Sequence, residues 1–163
     1  IKEKLNEFPS IFSNNWYNMM YKKLGIIEPI EKDKILVDSL LELMNNYKSD
    51  YTNTFAALTL NKESNDALFK SNNFLEWRKQ WKNRINYAND SLKISNLMKA
   101  QNPLIIPRNH LLELALENTK SGNFDEFDEL LASITKPYNY RPNYSFQTVP
   151  EGFDDSYKTF CGT

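Results

Sequence analysis

Several residue types on which active sites and cross-linked folds depend are scarce in this chain. Cysteine and histidine each occur once among the 163 residues. A single cysteine excludes an internal disulfide framework and a structural zinc site of the usual multi-cysteine kind. The formal net charge of -1 argues against a chain-wide nucleic-acid or membrane-surface binder. No apolar run approaches the roughly 20 residues that a membrane-spanning helix needs.

Glycine is scarce too, and alternating apolar patterns are few. The four glycines and the weak alternation argue against a sheet, whereas apolar residues recur at helical spacing. Hydrophobic residues make up 40% of the chain and aromatic residues 13%, enough for one domain with a core. The sequence therefore predicts an all-α fold.

Helix boundaries are predicted from caps and breakers. Pro9 is expected to interrupt the first pattern, so that a helix restarts at Ser10 and ends before Gly25. Further helices are predicted over about 31–47, from Asp50 or Thr52, around 67–70, from Asn73 with Glu76 in a capping box, from Asp90 or Ser91 to Asn102, over 108–120, and from Asn123 to Pro137.

The helical spacing predicts an apolar stripe on several helices. The stripe of the first helix consists of Phe12, Trp16, Met19 and Met20. That of the helix after Asn73 consists of Phe74, Trp77, Trp81 and Ile85. In the last helix, the apolar pattern is matched closely by Phe124, Phe127, Leu130, Leu131 and Ile134.

Residues 136–163 differ in character from the rest. Pro137, Pro142 and Pro150 occur there among tyrosines and phenylalanines that follow no period. Exposed aromatics at that density favour an extended tail laid over a surface. The predicted organisation is thus a helical segment, 1–135, followed by a tail, 136–163.

No complete active site is visible in the sequence. Glycine-rich phosphate loops, metal-ligand clusters and nucleophile elbows are missing. Pro107 fits the first turn of a helix, where Arg108 and Asn109 could clamp a carboxylate or face a ligand, the clamp being favoured. His110 is best read as a polar residue near a helix start. Cys161 is either an incidental terminal thiol or a redox residue.

A basic segment lies between Lys70 and Arg108, where eight Lys and Arg residues oppose Glu76 and Asp90. Interleaved Trp77 and Trp81 could stack bases beside such cations. Because both tryptophans fall on an apolar stripe, we expect them in the core instead, behind a solvated cationic face.

Blocks along nearly the whole chain resemble one family in the same order. They are Trp16-Tyr17-Asn18-Met19-Met20-Tyr21-Lys22-Lys23-Leu24-Gly25, Leu40-Leu41-Glu42-Leu43-Met44 with Asp50-Tyr51-Thr52, Phe74 to Trp81, Asn102-Pro103 with Ile106-Pro107-Arg108-Asn109-His110, Gly122-Asn123-Phe124, and Phe160-Cys161-Gly162-Thr163. This set is similar to the C-terminal end of the selenoprotein O (SelO)-like protein adenylyltransferases.

The resemblance implies a pseudokinase-like parent enzyme that binds ATP with magnesium and transfers AMP to Ser, Thr or Tyr hydroxyls of proteins. This chain would be an irregular multi-helix C-terminal segment of that protein-kinase-like fold. The catalytic, nucleotide-binding and metal-binding residues would lie upstream, an expectation that the start without Met supports. Only Cys161 carries over, as a redox position.

The partners implied are the upstream kinase-like core of the same polypeptide and the protein substrates of the parent. No membrane or nucleic-acid partner, and no cofactor bound by the segment alone, is expected. A cytoplasmic location is the default.

Two other functions stay open at this point. The chain could be an autonomous helical module that binds RNA or an acidic protein through the basic face between Lys70 and Arg108. A thiol enzyme built on Cys161 and His110 is a third, less favoured reading.

Overall fold

The structure, a computed structural model, describes residues 2–140, 148 and 150, with the backbone alone at 2–5 and 87–89. The chain divides into two compact units, unit 1 with residues 1–103 and unit 2 with residues 104–163. Every regular element of the described residues is a helix, which confirms the all-α prediction.

Six helices of the described residues belong to unit 1. They are α1 (Lys2–Lys23), α2 (Asp33–Asn46), α3 (Tyr51–Leu60), α4 (Ala67–Lys70), α5 (Asn72–Arg84) and α6 (Tyr87–Gln101). The caps at Asp50 and Asp66 have local causes. Each carboxylate accepts a backbone N–H bond from a residue of the helix that follows, at 2.7 and 2.8 Å. The short α4 is found where it was predicted.

The first helix differs from its prediction. α1 runs through Pro9 without a break, so the expected restart at Ser10 is wrong. Proline fixes φ near the helical value and removes one backbone hydrogen bond, so a helix can continue through it, at a cost of about 3 kcal/mol. The predicted stop is confirmed. Gly25 has φ +73°, and Ile26 N–H donates to Tyr21 O at 2.8 Å, as in a Schellman cap.

The core of unit 1 forms around fully buried side chains from all six of its described helices. They include Met20, Leu24, Val37, Leu40, Phe55, Leu58, Phe74, Trp81, Ile94 and Met98. Trp81 Nε1 donates to Leu24 O at 2.8 Å, and Trp77 Nε1 donates to Leu36 O at 2.9 Å. Both indole N–H groups are thereby satisfied, so these large rings are buried without an orphan donor. The prediction that both tryptophans lie in the core is confirmed.

Two helix starts in unit 1 differ from the sequence expectation. α5 is capped by Ser71, whose Oγ accepts from Phe74 N–H at 3.2 Å, and not by Asn73. α6 begins at Tyr87, ahead of the predicted start, and Asp90 forms a kink with φ -119° and ψ 26°. Polar residues that can cap a helix lie close together in both places, so their presence in the sequence does not fix the helix start.

Unit 2 contains α7 (Asn109–Lys120) and α8 (Asp125–Ile134), joined through Gly122 at φ +83°. The N-cap of α8 is Phe124, so the predicted cap at Asn123 is wrong by one position. From the residue before the cap, Asn123 Oδ1 accepts from Asp125 N–H at 3.0 Å. Leu104 N–H donates to Pro137 O at 2.7 Å and ties the two ends of this hairpin together. The boundary predicted at 135/136 stays a prediction, because most of the tail lies outside the described residues.

Candidate functional site

Three polar clusters stand out in unit 1, and the first joins α5 to the turn before α2. Arg84 Nε and Nη2 donate to the two oxygens of Asp33 at 2.7 and 2.8 Å. Asp33 is 1% exposed, and it also accepts from Ile30 N–H at 2.8 Å. Arg84 Nη2 donates further to Glu28 O at 2.7 Å. This bidentate pair holds the connection between α1 and α2 in a fixed shape.

The second cluster joins the ends of α1 and α6. Asn102 is fully buried, and its Nδ2 donates to Lys23 O and Thr59 Oγ1, each at 2.9 Å. Lys23 Nζ donates to Gln101 O and Asn102 Oδ1, each at 3.2 Å. A lysine beside the last carbonyl of a helix also complements the negative end of the helix dipole.

Lys23 sits against aromatic rings as well. Its Nζ lies 5.4 Å from the ring centre of Tyr51 and 5.2 Å from that of Phe55, which favours the cation. Burial nevertheless lowers the pKa of Lys23 below its ordinary value. The ammonium group of Lys23 thus connects α1 with α3 and α6.

The third cluster surrounds Arg78, which is 7% exposed. Its Nη1 forms an ion pair with Glu63, and its Nη2 donates to Asn61 Oδ1 at 3.2 Å. The guanidinium thus anchors the turn between α3 and α4. Burial, together with the neighbouring Arg78, lowers the pKa of Lys82.

These clusters change the reading of the basic segment. Arg78 and Arg84 serve carboxylates of unit 1, and Trp77 and Trp81 are buried in its core. The tryptophans therefore cannot stack bases, and two of the cations in the proposed face are already engaged.

The predicted residues of unit 2 lie at the start of α7. Arg108 is the N-cap, with extended backbone, and its carbonyl accepts from Leu111 and Leu112 N–H, each at 3.0 Å. Pro107 precedes that cap, so its expected place in the first helical turn is wrong. Asn109 is exposed, whereas Arg108 and His110 are half-buried. Their roles as clamp or interface residues stay predictions, and Cys161 lies outside the described residues, so its redox role stays one too.

Unit 1 also carries two open grooves. One, of about 380 Å³, lies between α2 and α5 and is lined by residues that include Glu42, Asn46 and Glu76. The other, of about 320 Å³, lies beside α1 and includes Tyr17, Tyr21 and Lys34. A hydrogen bond to Asp38 raises the pKa of Tyr17, and burial raises that of Tyr21. Neither groove combines charged groups into an evident catalytic arrangement.

In the part of the chain that the structure describes, no three His, Cys, Asp or Glu side chains come together as a metal site would require. Among the described helices, none has the length and apolar character needed to traverse a lipid bilayer.

Sequence reasoning missed the polar clusters themselves. Arg84 and Asp33 are 51 positions apart, and Asn102 and Lys23 are 79 positions apart. A helical pattern reports which face of a helix is apolar, but not which charge on one helix meets which charge on another.

The described residues form a helical protein segment with an aromatic core in unit 1, and the sequence identifies its family. The family profile described as protein adenylyltransferase SelO matches residues 1–135. The chain therefore belongs to the SelO family.

Individual relatives agree with this assignment. The protein nucleotidyltransferase YdiU of Clostridium perfringens (strain ATCC 13124) is 41% identical over 164 residues, covering 99% of this chain and 34% of that protein. The proteins of the same name from Clostridium beijerinckii and Bacillus thuringiensis subsp. konkukian are 41% and 40% identical, with the same coverage. The chain thus spans about a third of the length of the curated relatives it matches.

Proposed function

We propose that this chain is the C-terminal helical part of a protein nucleotidyltransferase that moves AMP from ATP to protein hydroxyls. The observation that carries the proposal is the match to nucleotidyltransferases three times as long, of which the chain covers 34%. The nucleotide, with magnesium, would be bound by the remaining two thirds. A cytoplasmic location stays a prediction.

In this proposal unit 1 acts as a support for the catalytic core and does no chemistry itself. Its partly buried ion pair between Arg84 and Asp33, and the cluster of Lys23 with Asn102, keep neighbouring helices in a fixed arrangement. A rigid helical body can hold an adjoining active site in its productive geometry, and misplacement by about 1 Å can cost about a hundredfold in rate.

A chimaera tests the proposal directly. In the Clostridium perfringens relative, this chain would replace the matching third. Transfer of radiolabelled AMP from ATP to protein, with magnesium, should be retained in the chimaera and lost when the matching third is deleted. Titration calorimetry should show Mg-ATP binding to the chimaera and none to the isolated chain.

Two results would contradict the proposal. One is clear binding of Mg-ATP by the isolated 163-residue chain, which would move the nucleotide site into this segment. The other is a folded, monomeric chimaera that transfers no AMP while the unaltered relative does. As a matched control, the chimaera carrying Lys79→Gln, a change at an exposed position of α5, should keep the activity of the unmodified chimaera.

A further inference from the structure

The helix α1 has two apolar faces that point in different directions. At 100° per residue, Met20 and Leu24 lie on the side that packs into the core of unit 1. Phe8, Phe12 and Met19 cluster within roughly 40° of one another on a second side. Their side chains are 62%, 58% and 40% exposed. The prediction that Phe12 and Met19 share a buried face with Met20 is therefore wrong.

The second face, here called the α1 outer face, comprises Phe8, Ile11, Phe12, Asn15 and Met19. Between Phe8 and Met19 this face contains no charged residue, and the exposed Lys22 follows on the same side of the helix. Ile11 is 51% exposed, and the rings of Phe8 and Phe12 lie 6.1 Å apart in a stacked arrangement. A contiguous apolar surface of this kind is typical of an interaction site, whereas single exposed apolar residues are ordinary.

The N-terminal turns of α1 have little support within the chain. All side chains from 6 to 12 are exposed, and Pro9 removes a backbone hydrogen bond in the middle of that stretch. Helical turns that contain proline and bury nothing are unstable in water, because most helical stability in proteins comes from packing of an apolar face. We therefore expect the outer face to pack against another protein surface.

We propose that the α1 outer face docks on an apolar surface of the nucleotide-binding core, which precedes it in the same polypeptide. This inference rests on the proposed function. The relatives contain about twice as much chain outside the matched third as inside it, which is ample to supply such a surface. The absence of charge between Phe8 and Met19 fits an apolar protein surface.

Two neighbouring asparagines allow a matched test. Asn15 lies on the outer face, whereas Asn14 lies on the side of α1 that lines the groove with Pro29 and Ile30. Both are exposed in this chain. Asn15→Cys and Asn14→Cys would be made separately in the chimaera and in the isolated chain, and maleimide labelling at each position would be followed by peptide mass spectrometry.

In the isolated chain we expect both introduced thiols to react at similar rates. In the chimaera, the thiol at position 15 should react at least tenfold more slowly, while the thiol at position 14 should keep its rate. Phe8→Ser with Phe12→Ser should make α1 in the chimaera sensitive to trypsin. Leu92→Ser, at a position on α6 that is 74% exposed, should not.

The outcomes separate the two proposals. An active chimaera in which position 15 labels as fast as position 14 would overturn the docking inference and leave the proposed function standing. Protection that appears in the isolated chain as its concentration rises, and is missing from a monomeric chimaera, would identify a second copy as the occupant and also overturn it. An inactive chimaera speaks against the proposed function instead.

Discussion

Unit 1 and unit 2 are both helical, yet they differ in how their apolar residues are used. Unit 1 buries aromatic and aliphatic side chains from all six of its helices, with Trp81 and Phe55 among the largest. In the described part of unit 2, the buried apolar residues are Leu104, Ile105, Ala115 and Leu130. Both helices of unit 2 leave large apolar side chains exposed, including Leu114, Leu116, Phe124 and Leu131.

The comparison shows that helices with the same apolar periodicity can differ in how much of their apolar surface is buried. α8 has the cleaner apolar stripe in the sequence, but Phe124 and Leu131 of that stripe are 55% and 45% exposed. α5 has a polar composition, yet Phe74, Trp77 and Trp81 are buried. Amphipathic pattern alone does not measure burial, because a stripe is buried only where a partner surface meets it.

The largest expected effect comes from Trp81, which is fully buried and donates to Leu24 O. Trp81→Ala should lower the free energy of unfolding by about 3–5 kcal/mol, because it leaves a cavity and an unpaired carbonyl. Leu131→Ala in unit 2 should lower it by less than about 1 kcal/mol, because that side chain is half exposed. Urea unfolding followed by far-UV circular dichroism measures both. Equal losses of unfolding free energy in the two variants would contradict the difference in burial between the units.

The two left-handed glycines give the sharpest matched pair. Gly25→Ala in unit 1 should cost about 2–4 kcal/mol, since a Cβ there would lie 2.6 Å from Ile94 Cγ2 in addition to the backbone strain. Gly122→Ala in unit 2 meets nothing within 4 Å, so only the strain of about 1–2 kcal/mol applies. Thermal unfolding of the two variants compares them. A Gly122 variant that is the less stable of the two would contradict this account.

The next largest effect is expected from removing one partner of the ion pair between Asp33 and Arg84. Asp33→Ala leaves Ile30 N–H without its acceptor and Arg84 with only its bond to Glu28 O, at a cost of about 1–3 kcal/mol. Arg84→Ala should cost less in the same background than in the parent chain, because its ion pair with Asp33 is already gone and only the bond to Glu28 O remains to be lost. In unit 2, Glu117→Gln breaks an exposed pair with Lys120 and should change the stability little. A fully additive double variant at 33 and 84 would show that the pair is not coupled.

The smallest effect concerns alkaline pH. Burial raises the pKa of Tyr21 above its ordinary value of 10.0, so the folded chain keeps a proton that the unfolded chain releases. Its contribution to stability is therefore full below pH 10 and is lost as the pH rises through the folded pKa. Burial lowers the pKa of Lys23 below 10.5, so its contribution to stability is full above pH 10.5 and is lost as the pH falls through the folded pKa. Tyr21→Phe should lose less stability between pH 9 and pH 11 than the parent chain, and an identical loss would contradict the assignment.

Local signals account for the parts of the fold that the sequence predicts well. Asp50, Asp66 and Gly25 act on backbone groups within a few positions of themselves, so their caps and stops can be read directly. The start of α5 differs from its prediction because Ser71 and Asn73 can both cap a helix, and Phe74 N–H donates to Ser71 Oγ. At the candidate site, the sequence correctly predicts a helix that starts around Arg108, Asn109 and His110. It does not predict the function of these three residues.

The amino-acid sequence on its own was enough to establish the all-α class of the described residues, the burial of both central tryptophans and membership of the SelO family. The first two features follow from the spacing of apolar residues along each helix. The third follows from several short sequence motifs that occur in the same order as in the family. The tertiary structure alone decided that α1 passes through Pro9, that Asp33 meets Arg84, and that Phe8 and Phe12 lie outside the core. Such features depend on which surfaces come together in space, because the energy of a contact belongs to a pair of residues and not to either one.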